Sequence, residues 1–448
     1  MTDTAASTPE AIKAQLEGLL PGWLPRQRWY SGSEEPSQLE VVDLDVLLPA
    51  GSEGSAPGLI SLIVRADGLD WHVPVGWRDS DQIPASVADR EGAVIGSLTL
   101  SDGRAGIAFD PAPDQELAAH FHCLVTGSAE APGHVRPIGA EQSNTSLVSD
   151  DRVVVKLFRR LVPGPNPDVE VPAALSSAGF PSVPPVQGVW RRGEYDLAVA
   201  QAYLPGASDG FALALASLRD CLATGLPPQA SGGDFGAEAF RLGEVTGELH
   251  VAMAEAFGQE AGSPKQWSTD LAADLDRVGV DAARASGLID RLEAVESAGA
   301  AIRGHGDYHL GQVLRADAGW FVIDFEGEPD RSAEERARMT SPLRDVAGML
   351  RSLEYAAAVA LREQVDDDRE RLEPLAAAWV SHNSDALERG YAAAEGIDAL
   401  LPAAADRAVI LAAFSLEKAA YELAYERAHR PDWEDIPAAA IDRLLADG

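Results

Sequence analysis

The chain has 448 residues, and at about 150 residues per domain this length predicts two or three domains. Hydrophobic residues make up 46% and charged residues 24%, an ordinary globular composition that excludes a fibrous or disordered chain. Asp and Glu number 71 against 36 Lys and Arg, which gives a formal net charge of −35. Because so acidic a surface repels phosphate backbones and anionic lipids, the charge argues against nucleic-acid and membrane partners.

Cysteine occurs only at Cys123 and Cys221, too few for a disulfide framework or a cysteine-rich zinc site. The first residues lack the basic start and apolar core of a secretory signal. No apolar run approaches the ~20 residues that a membrane span needs. We therefore expect a soluble, cytoplasmic protein.

The first half of the chain is predicted to be rich in β-strands. Apolar and alternating runs indicate the strands, and the pairs Asp67-Gly68 and Asp150-Asp151 mark hairpin turns. The strand and hairpin segments are 39–49, 58–67, 69–77, 144–160 and 186–204.

After Pro205-Gly206 the apolar residues recur at helical spacing, which predicts a mostly helical second half. The helical segments are 235–258 and those near 345–362, 372–395 and 404–428. The predicted fold class is α+β, divided into residues 1–110, a β-rich part 111–204 and a helical part 205–448.

The segment 305–329, HGDYHLGQVLRADAGWFVIDFEGEP, carries the strongest chemical signal. Two short apolar runs flank a turn, which predicts a loop followed by a β-hairpin. Asp307 lies in the loop, Gln312 at the start of the hairpin and Asp324 directly after it. Carboxylate and amide oxygens suit Mg²⁺. Protein kinases use the same order, with a loop Asp for the acceptor hydroxyl and an amide and a second Asp for the metal.

Phosphoryl transfer of this kind also needs a strand lysine for the nucleotide phosphates and a helix glutamate that holds the lysine. Lys156 in the apolar run VVVKLF fits the strand position, and Glu170 fits the helix position. The alternative for Lys156 is a side chain that extends to solvent from an edge strand.

Two further segments are expected to contact the nucleotide. The polar stretch 141–146 precedes the lysine strand and replaces a glycine-rich loop over the phosphates, through Ser143, Asn144 and Thr145. The segment 201–210 is expected to line the adenine, with Gln201 and Tyr203 as candidates.

Two motifs point elsewhere. The string GASDG (206–210) matches a hydrolase nucleophile elbow, which would make Ser208 the nucleophile and His382 or His429 its base. The string HFHC places His120, His122 and Cys123 together, but a zinc site needs three or four convergent ligands. We expect the HFHC cluster to be structural and favour the kinase over the hydrolase.

The segment 305–329 resembles maltokinases, in the aminoglycoside-phosphotransferase-like branch of kinase folds. Stretches similar to that family also include WLPRQRWY (23–30), EQSNTSLV (141–148), SPLRDVAGMLRSLEYAA (341–357) and EKAAYELAYERAHRPDW (417–433). The resemblance implies a bilobal kinase-like fold, with residues 1–110 as an extra cap subdomain and 111–204 as the β-rich N-lobe. It also implies ATP- and Mg²⁺-dependent phosphorylation of maltose at the anomeric hydroxyl, for glycogen synthesis.

Roles follow by resemblance for single residues. Asp307 is the implied catalytic base, Gln312 and Asp324 the Mg²⁺ ligands, and Lys156 with Glu170 the ATP-phosphate pair. Asp345 is implied to brace the catalytic loop. The implied sugar-binding residues are His305, Asp307, Lys418, Tyr421 and Glu422.

Alternatives to maltose phosphorylation stay open. Another sugar or an aminosugar such as glucosamine is an alternative acceptor, and a trehalose synthase is a candidate protein partner. A non-catalytic docking module of the same fold is the alternative of another class. The chain has Ser31-Gly32-Ser33 where family members often have Ala-Gly-Lys, so no lysine function is expected at that place in the cap.

Overall fold

The computed structural model describes residues 9–32, 34–51, 56–100, 102–138, 143–328, 331–364 and 366–447. Two compact units make up the described chain. The first contains the residues up to Glu170 and Pro185–Pro205, and the second contains Val171–Pro184 and the residues from Gly206 onward. The second unit therefore takes a short piece of chain from within the first half of the sequence.

The N-terminal unit is built mainly from antiparallel strands, and its last helix continues into the other unit. Its elements are α1 (Pro9–Trp23), β1 (Leu39–Leu48), β2 (Gly58–Ala66), β3 (Leu69–Arg78), α2 (Ala85–Ala88), β4 (Val94–Thr99), β5 (Ala105–Phe109), α3 (Gln115–Thr126), β6 (Val135–Pro137), β7 (Asn144–Ser149), β8 (Val153–Phe158), β9 (Arg160–Leu161), α4 (Pro167–Ser177), β10 (Val186–Arg192) and β11 (Tyr195–Ala202).

Two sheets organise this unit. One runs in the order β1-β2-β3-β5-β4, with β9 paired to β3, and the other runs β10-β11-β8-β7-β6. Both predicted hairpin turns are confirmed, because Asp67, Asp150 and Asp151 adopt positive φ angles near +50°, as tight hairpins with the native strand twist require. Helices α1 and α3 were not predicted in this β-rich half.

Strand β2 is buried on both faces, and successive side chains point to opposite sides. Ile60, Leu62 and Val64 pack into a core with the apolar face of α1. Leu59 and Ile63 pack into a second core, which contains residues of α3 and β8. The continuous apolar sequence of the strand follows from this two-sided burial.

The C-terminal unit is mostly helical, as predicted. Its elements are β12 (Ser208–Asp209), α5 (Gly210–Thr224), α6 (Gly236–Phe257), β13 (Gln259–Ala261), α7 (Pro264–Arg277), α8 (Ser286–Glu293), β14 (Ala300–Ile302), β15 (Val313–Ala316), β16 (Gly319–Val322), α9 (Ala333–Ala337), α10 (Leu343–Arg362), α11 (Asp366–Ala393), α12 (Ala404–His429) and α13 (Asp435–Asp447). Strands β15 and β16 form the predicted hairpin. Over the described ranges, no helix has the length and apolar character needed to cross a membrane.

The core of this unit includes the short segment from the first half of the sequence. Val171, Leu175, Phe180 and Val183 belong to the same buried cluster as residues of α5, α6 and α10. The segment is also hydrogen-bonded to the hairpin, since the Val322 N–H donates to the Ser182 carbonyl at 2.8 Å.

Helices α6 and α11 cross at glycines on both sides. A Cβ at Gly243 would overlap the Leu387 carbonyl, and one at Gly390 would overlap the Phe240 carbonyl. The backbones therefore approach more closely than any larger residue allows. This crossing places His250 of α6 beside Tyr391 of α11, with the Nδ1 of the histidine 2.9 Å from the tyrosine hydroxyl.

We expect Gly390→Ala to destabilise the protein by about 1–3 kcal/mol, because the added methyl group overpacks this crossing. Thermal unfolding followed by circular dichroism measures the effect. Gly18→Ala is the matched control, since Gly18 lies in α1 with open space around its Cβ position. The control is expected to raise stability by up to about 1 kcal/mol through helix propensity, and equal melting temperatures for the two variants would contradict the close crossing.

Candidate functional site

A buried carboxylate organises the loop between β14 and β15. Asp345, in the first turn of α10, accepts the N–H of His305 at 2.7 Å and that of Gly306 at 3.1 Å. His250 Nε2 lies 3.3 Å from the same carboxylate. Burial alone would raise the pKa of Asp345, but the hydrogen bonds and charge of His250 and the bond from His305 outweigh burial and lower the pKa to about 2. Asp345 thus stays ionised and fixes the backbone just before Asp307.

Asp307 faces a buried ammonium group from α12. Lys418 Nζ donates to Asp307 Oδ1 at 2.8 Å, and His309 Nε2 lies 3.8 Å from Oδ2. Burial would raise the pKa of Asp307, but the Lys418 charge and the nearby His309 hold it well below its usual range. The carboxylate is therefore ionised, and Oδ2 is the less occupied of its two oxygens.

Glu328 is the second carboxylate of Lys418. Its Oε1 accepts from Lys418 Nζ at 2.9 Å, and its Oε2 accepts from Arg331 at 2.7 Å and Arg344 at 3.2 Å. The two arginines also contact Glu417 at 3.0 Å. Burial would lower the pKa of Lys418, but Asp307 and Glu328 raise it, so the lysine stays charged. The result is an ion network in which each buried charge has an opposite partner.

Gln312 and Asp324 lie together at the base of the β15–β16 hairpin. Gln312 Nε2 donates to Asp324 Oδ2 at 3.2 Å, and carboxylate oxygens of Asp324 and Glu326 lie within 4.8 Å of each other. Asp324 has a φ of +64°, an uncommon conformation for a residue other than glycine, which points to a constrained functional position. These hard oxygen donors fit a divalent cation such as Mg²⁺.

Lys156 lies on β8 in the N-terminal unit. Its Nζ donates to Asp168 Oδ2 at 2.5 Å, and both side chains are largely buried. Asp168 and the predicted partner Glu170 both lie in the first turn of α4. The structure thus adds Asp168 as an ion-pair partner of the lysine, and the function of Glu170 remains a prediction.

The predicted phosphate cover is only partly a turn. Residues 141 and 142 lie outside the described ranges, and Ser143 directly precedes β7. Asn144 and Thr145 are in β7 itself, paired with β8. Asn144 Oδ1 accepts the Arg159 N–H at 3.3 Å, and Thr145 Oγ1 accepts from Arg159 Nε at 2.9 Å. The prediction that Asn144 and Thr145 form a polar turn is therefore wrong. Their backbones pair within the sheet, and their side chains are hydrogen-bonded to Arg159.

The two adenine candidates lie where the N-terminal unit ends. Gln201 is part of β11, opposite Val154 of β8. The Tyr203 N–H donates to the Arg152 carbonyl at 2.8 Å, and the Tyr203 hydroxyl accepts from Arg136 at 3.3 Å. Their contact with a nucleotide remains a prediction.

The residues predicted to bind the sugar do not all lie in the same surroundings. His305 is 3% exposed, and its Nε2 donates to the Ile323 carbonyl at 3.0 Å. Because His305 is buried, the structure contradicts its predicted contact with the sugar, and we assign it a positioning function instead. Lys418 Nζ lies 4.6 Å from the centre of the Tyr421 ring, next to Asp307. Glu422 instead accepts from the buried Arg351 at 2.6 Å, and its predicted sugar contact is untested.

The alternative motifs form no catalytic or metal constellation among the described residues. Ser208 is exposed on β12, and no hydrogen bond between described atoms joins it to His382 or His429. His382 pairs with Asp234 at 2.9 Å. His120, His122 and Cys123 lie within about one turn of α3, and within the described ranges they are not among the groups arranged to hold a metal.

Sequence reasoning missed Asp168 as the ion-pair partner of Lys156. In the C-terminal unit it missed Glu326, Glu328, Arg331 and Arg344. Glu326 and Glu328 lie in the DFEGEP string directly after Asp324. A charge-dense string after a buried strand was the available signal for these two. Arg344 precedes Asp345, but its contact with Glu328 depends on tertiary structure.

Two family models match the chain. The model described as "Phosphotransferase enzyme family" matches residues 134–382, and the one described as "Maltokinase N-terminal cap domain" matches residues 23–114. The second match covers the strands that precede the kinase-like region.

Similar proteins include two curated glucosamine kinases. The protein of Mycolicibacterium smegmatis is 30% identical over 76% of this chain and 87% of its own length. The protein of Streptacidiphilus jiangxiensis is 30% identical over 90% of this chain and 91% of its own length.

A solved glucosamine kinase, in its crystal form B, has a TM-score of 0.68 and 24% identity, covering 96% of this chain and 99% of that one. A glucosamine kinase in complex with glucosamine, ADP and inorganic phosphate has a TM-score of 0.63 and 24% identity, covering 92% and 94%. At this identity the likeness concerns the fold. The predicted α+β kinase-like fold with a cap is thereby confirmed.

We expect Asp345→Asn to lower the free energy of unfolding by about 2–3 kcal/mol at pH 7, because an amide NH₂ would face the loop N–H donors. Since the pKa of Asp345 is lowered from 3.8 to about 2, its ionised form contributes stability above about pH 4 that is lost as the pH falls through 2. The difference between the variant and the native chain should therefore shrink in acid.

Urea unfolding at pH 7 and pH 3 measures this difference. Asp317→Asn is the control, since Asp317 is an exposed carboxylate in the turn of the β15–β16 hairpin. A penalty for Asp345→Asn that equals that of the control, or that grows in acid, would contradict the bracing function.

Proposed function

Because the chain belongs to the phosphotransferase enzyme family and is a kinase that transfers phosphate to a hydroxyl group, we propose that it phosphorylates a sugar with ATP and Mg²⁺. The favoured acceptor is maltose, at its anomeric hydroxyl, which gives maltose 1-phosphate for glycogen synthesis. The cap match, which confirms the predicted resemblance to maltokinases, supports this choice. The structural observation that supports a neutral acceptor is the ion pair between Lys418 and Asp307.

The Lys418 ammonium favours a neutral acceptor. It lies 2.8 Å from the carboxylate that orients the acceptor hydroxyl, and the neighbouring Glu328 charge is already balanced by Arg331 and Arg344. A protonated aminosugar placed against Asp307 would meet this fixed positive charge. In a buried setting such like-charge proximity costs binding free energy. A neutral sugar hydroxyl meets no such penalty.

Asp307 acts mainly through position. Its lowered pKa makes it a weak base that stays ionised, so it orients the acceptor hydroxyl and takes the proton late, through the less occupied Oδ2. The acceptor oxygen forms a bond to the γ-phosphorus while the bond to the ADP leaving group breaks, and the proton ends on Asp307. Asp345 and His305 hold the loop in place. Positioning and charge stabilisation provide most of the catalysis in phosphoryl transfer.

The nucleotide and the metal would be bound by separate groups of residues. Lys156, held by Asp168, would bind the nucleotide phosphates, and Ser143, Gln201 and Tyr203 keep their predicted nucleotide contacts. Asp324, Gln312 and Glu326 would hold Mg²⁺, which neutralises phosphate charge when bound. That neutralisation matters in a chain of net charge −35, whose field opposes an incoming polyanion.

Glucosamine is the second candidate acceptor. Two curated relatives that are 30% identical to this chain carry the name glucosamine kinase. An amine in its neutral form avoids the repulsion from Lys418, so the two candidates differ in their expected dependence on pH.

We expect Asp307→Asn to reduce turnover by about 10²- to 10⁴-fold, the range for loss of a general base, while folding and ADP binding stay close to native. Coupled ADP-release assays and calorimetry with ADP and Mg²⁺ measure the two properties. The exposed Asp317→Asn serves again as the control with native turnover. Near-native activity of Asp307→Asn would refute the assignment.

A panel of maltose, glucose and glucosamine with ATP and Mg²⁺, assayed from pH 6 to pH 9, tests the acceptor. We expect maltose to have the highest kcat/KM and glucosamine to gain relative to maltose as its amine loses its proton. Phosphorus NMR locates the new phosphate. Glucosamine as the best acceptor at pH 6, with a decline toward pH 9, would overturn the neutral-sugar proposal in favour of the second candidate.

A further inference from the structure

A second cleft in the C-terminal unit lies outside the catalytic residues. It has a volume of about 550 Å³ and is lined by residues of α10, α13 and the start of α11. None of the catalytic, metal or acceptor residues assigned above lines it. We call it the arginine cleft, after its charged residues Arg351, Arg362, Arg369 and Arg443, with Glu354 and Asp435.

The charge of the arginine cleft is opposite to that of the chain. Four guanidinium groups face two lining carboxylates, and Glu422 also accepts from Arg351, which leaves a local excess of one positive charge, whereas the whole chain carries −35. Arginines make up a minority of an acidic surface, so their concentration around one concave site is unusual. The rest of the lining is aliphatic, including Leu361 and Ile436.

The carboxylates do not satisfy all of these cations. Glu354 Oε2 accepts from both Arg351 and Arg443, so two guanidinium groups share one oxygen. Arg351 is only 2% exposed, and its Nε finds no hydrogen-bond partner among the described residues. Arg369 donates only to the Leu361 carbonyl, at 3.3 Å, within the described chain. A buried donor without a partner is costly, and a bound ion is one of the ways in which it is satisfied.

The size and charge of the cleft define a ligand class. A volume of about 550 Å³ lies in the range of small-metabolite sites. A phosphate monoester carries about −1.5 to −2 charge at neutral pH, which is opposite in sign to the local excess, and guanidinium groups bind phosphate in a bidentate manner. The aliphatic lining provides a surface for the carbon skeleton.

We propose that the arginine cleft binds a phosphorylated small metabolite of sugar-phosphate size, at a site separate from the reaction centre. Arg351 connects this site to α12, since it also donates to Glu422 at 2.6 Å, one turn from Lys418. An anion bound in the cleft competes with Glu354 and Glu422 for Arg351. Occupancy of the cleft therefore acts on the helix that carries the acceptor-site lysine.

Isothermal titration calorimetry of the full chain with glucose 6-phosphate tests this inference, with glucose as the uncharged probe. We expect binding of the phosphate ester and none of glucose. Arg369→Gln and Arg443→Gln are each expected to weaken binding about tenfold, the effect of losing one charge-assisted hydrogen bond.

Two variants separate the cleft from other phosphate sites. Arg371→Gln changes an exposed arginine two residues from Arg369, which pairs with Asp368 outside the cleft. Lys156→Ala changes the proposed ATP-phosphate lysine. Both are expected to keep native affinity for glucose 6-phosphate.

Absence of heat at millimolar glucose 6-phosphate would overturn the inference, as would equal affinity in Arg369→Gln and Arg371→Gln. Loss of binding in Lys156→Ala would assign the phosphate to the nucleotide site and also overturn it. Because calorimetry needs no turnover, these outcomes are independent of whether the chain phosphorylates maltose.

Discussion

The buried carboxylate of Asp345 is the contact on which the arrangement of the reaction centre depends. It accepts two backbone N–H groups just before Asp307 and faces His250. His250 is in turn positioned by Tyr391 across the glycine crossing of α6 and α11. A backbone constraint between two helices is thus transmitted to the loop, and the position of Asp307, the proposed catalytic carboxylate, follows from helix packing.

The second constraint is charge balance inside an acidic protein. Lys418, Arg331 and Arg344 neutralise Asp307 and Glu328, the carboxylates beside the proposed acceptor position. An uncompensated buried charge would cost several kcal/mol, so the network as a whole also stabilises the fold, and Lys418 keeps Glu328 as a partner even where Asp307 is neutralised. The same balance is the physical basis of the proposed selectivity for a neutral acceptor, since a neutral hydroxyl adds no charge to the network.

Much of the fold and the order of the site residues could be predicted from the sequence. Aspartates in tight turns, apolar strands and helical periodicity identify local structure, and the spacing of Asp307, Gln312 and Asp324 indicates their chemistry. Lys156 was found because a lysine within an apolar strand is rare, but Asp168 and Glu170 share one helical turn and spacing alone does not choose between them. Glu328 and Arg344 were missed because their partners come from distant segments. Helix α1 was missed because strand-like composition around it dominated the interpretation of the first hundred residues.

The chain does not divide between its two units at a single point. Val171–Pro184 belongs to the C-terminal unit, where it supplies buried side chains and a carbonyl that accepts a hydrogen bond from strand β16. A fragment beginning at Gly206 would consequently leave part of its own interior behind on the discarded piece. Exchange of whole domains between relatives should respect this interleaving, with Val171–Pro184 transferred together with the residues from Gly206 onward.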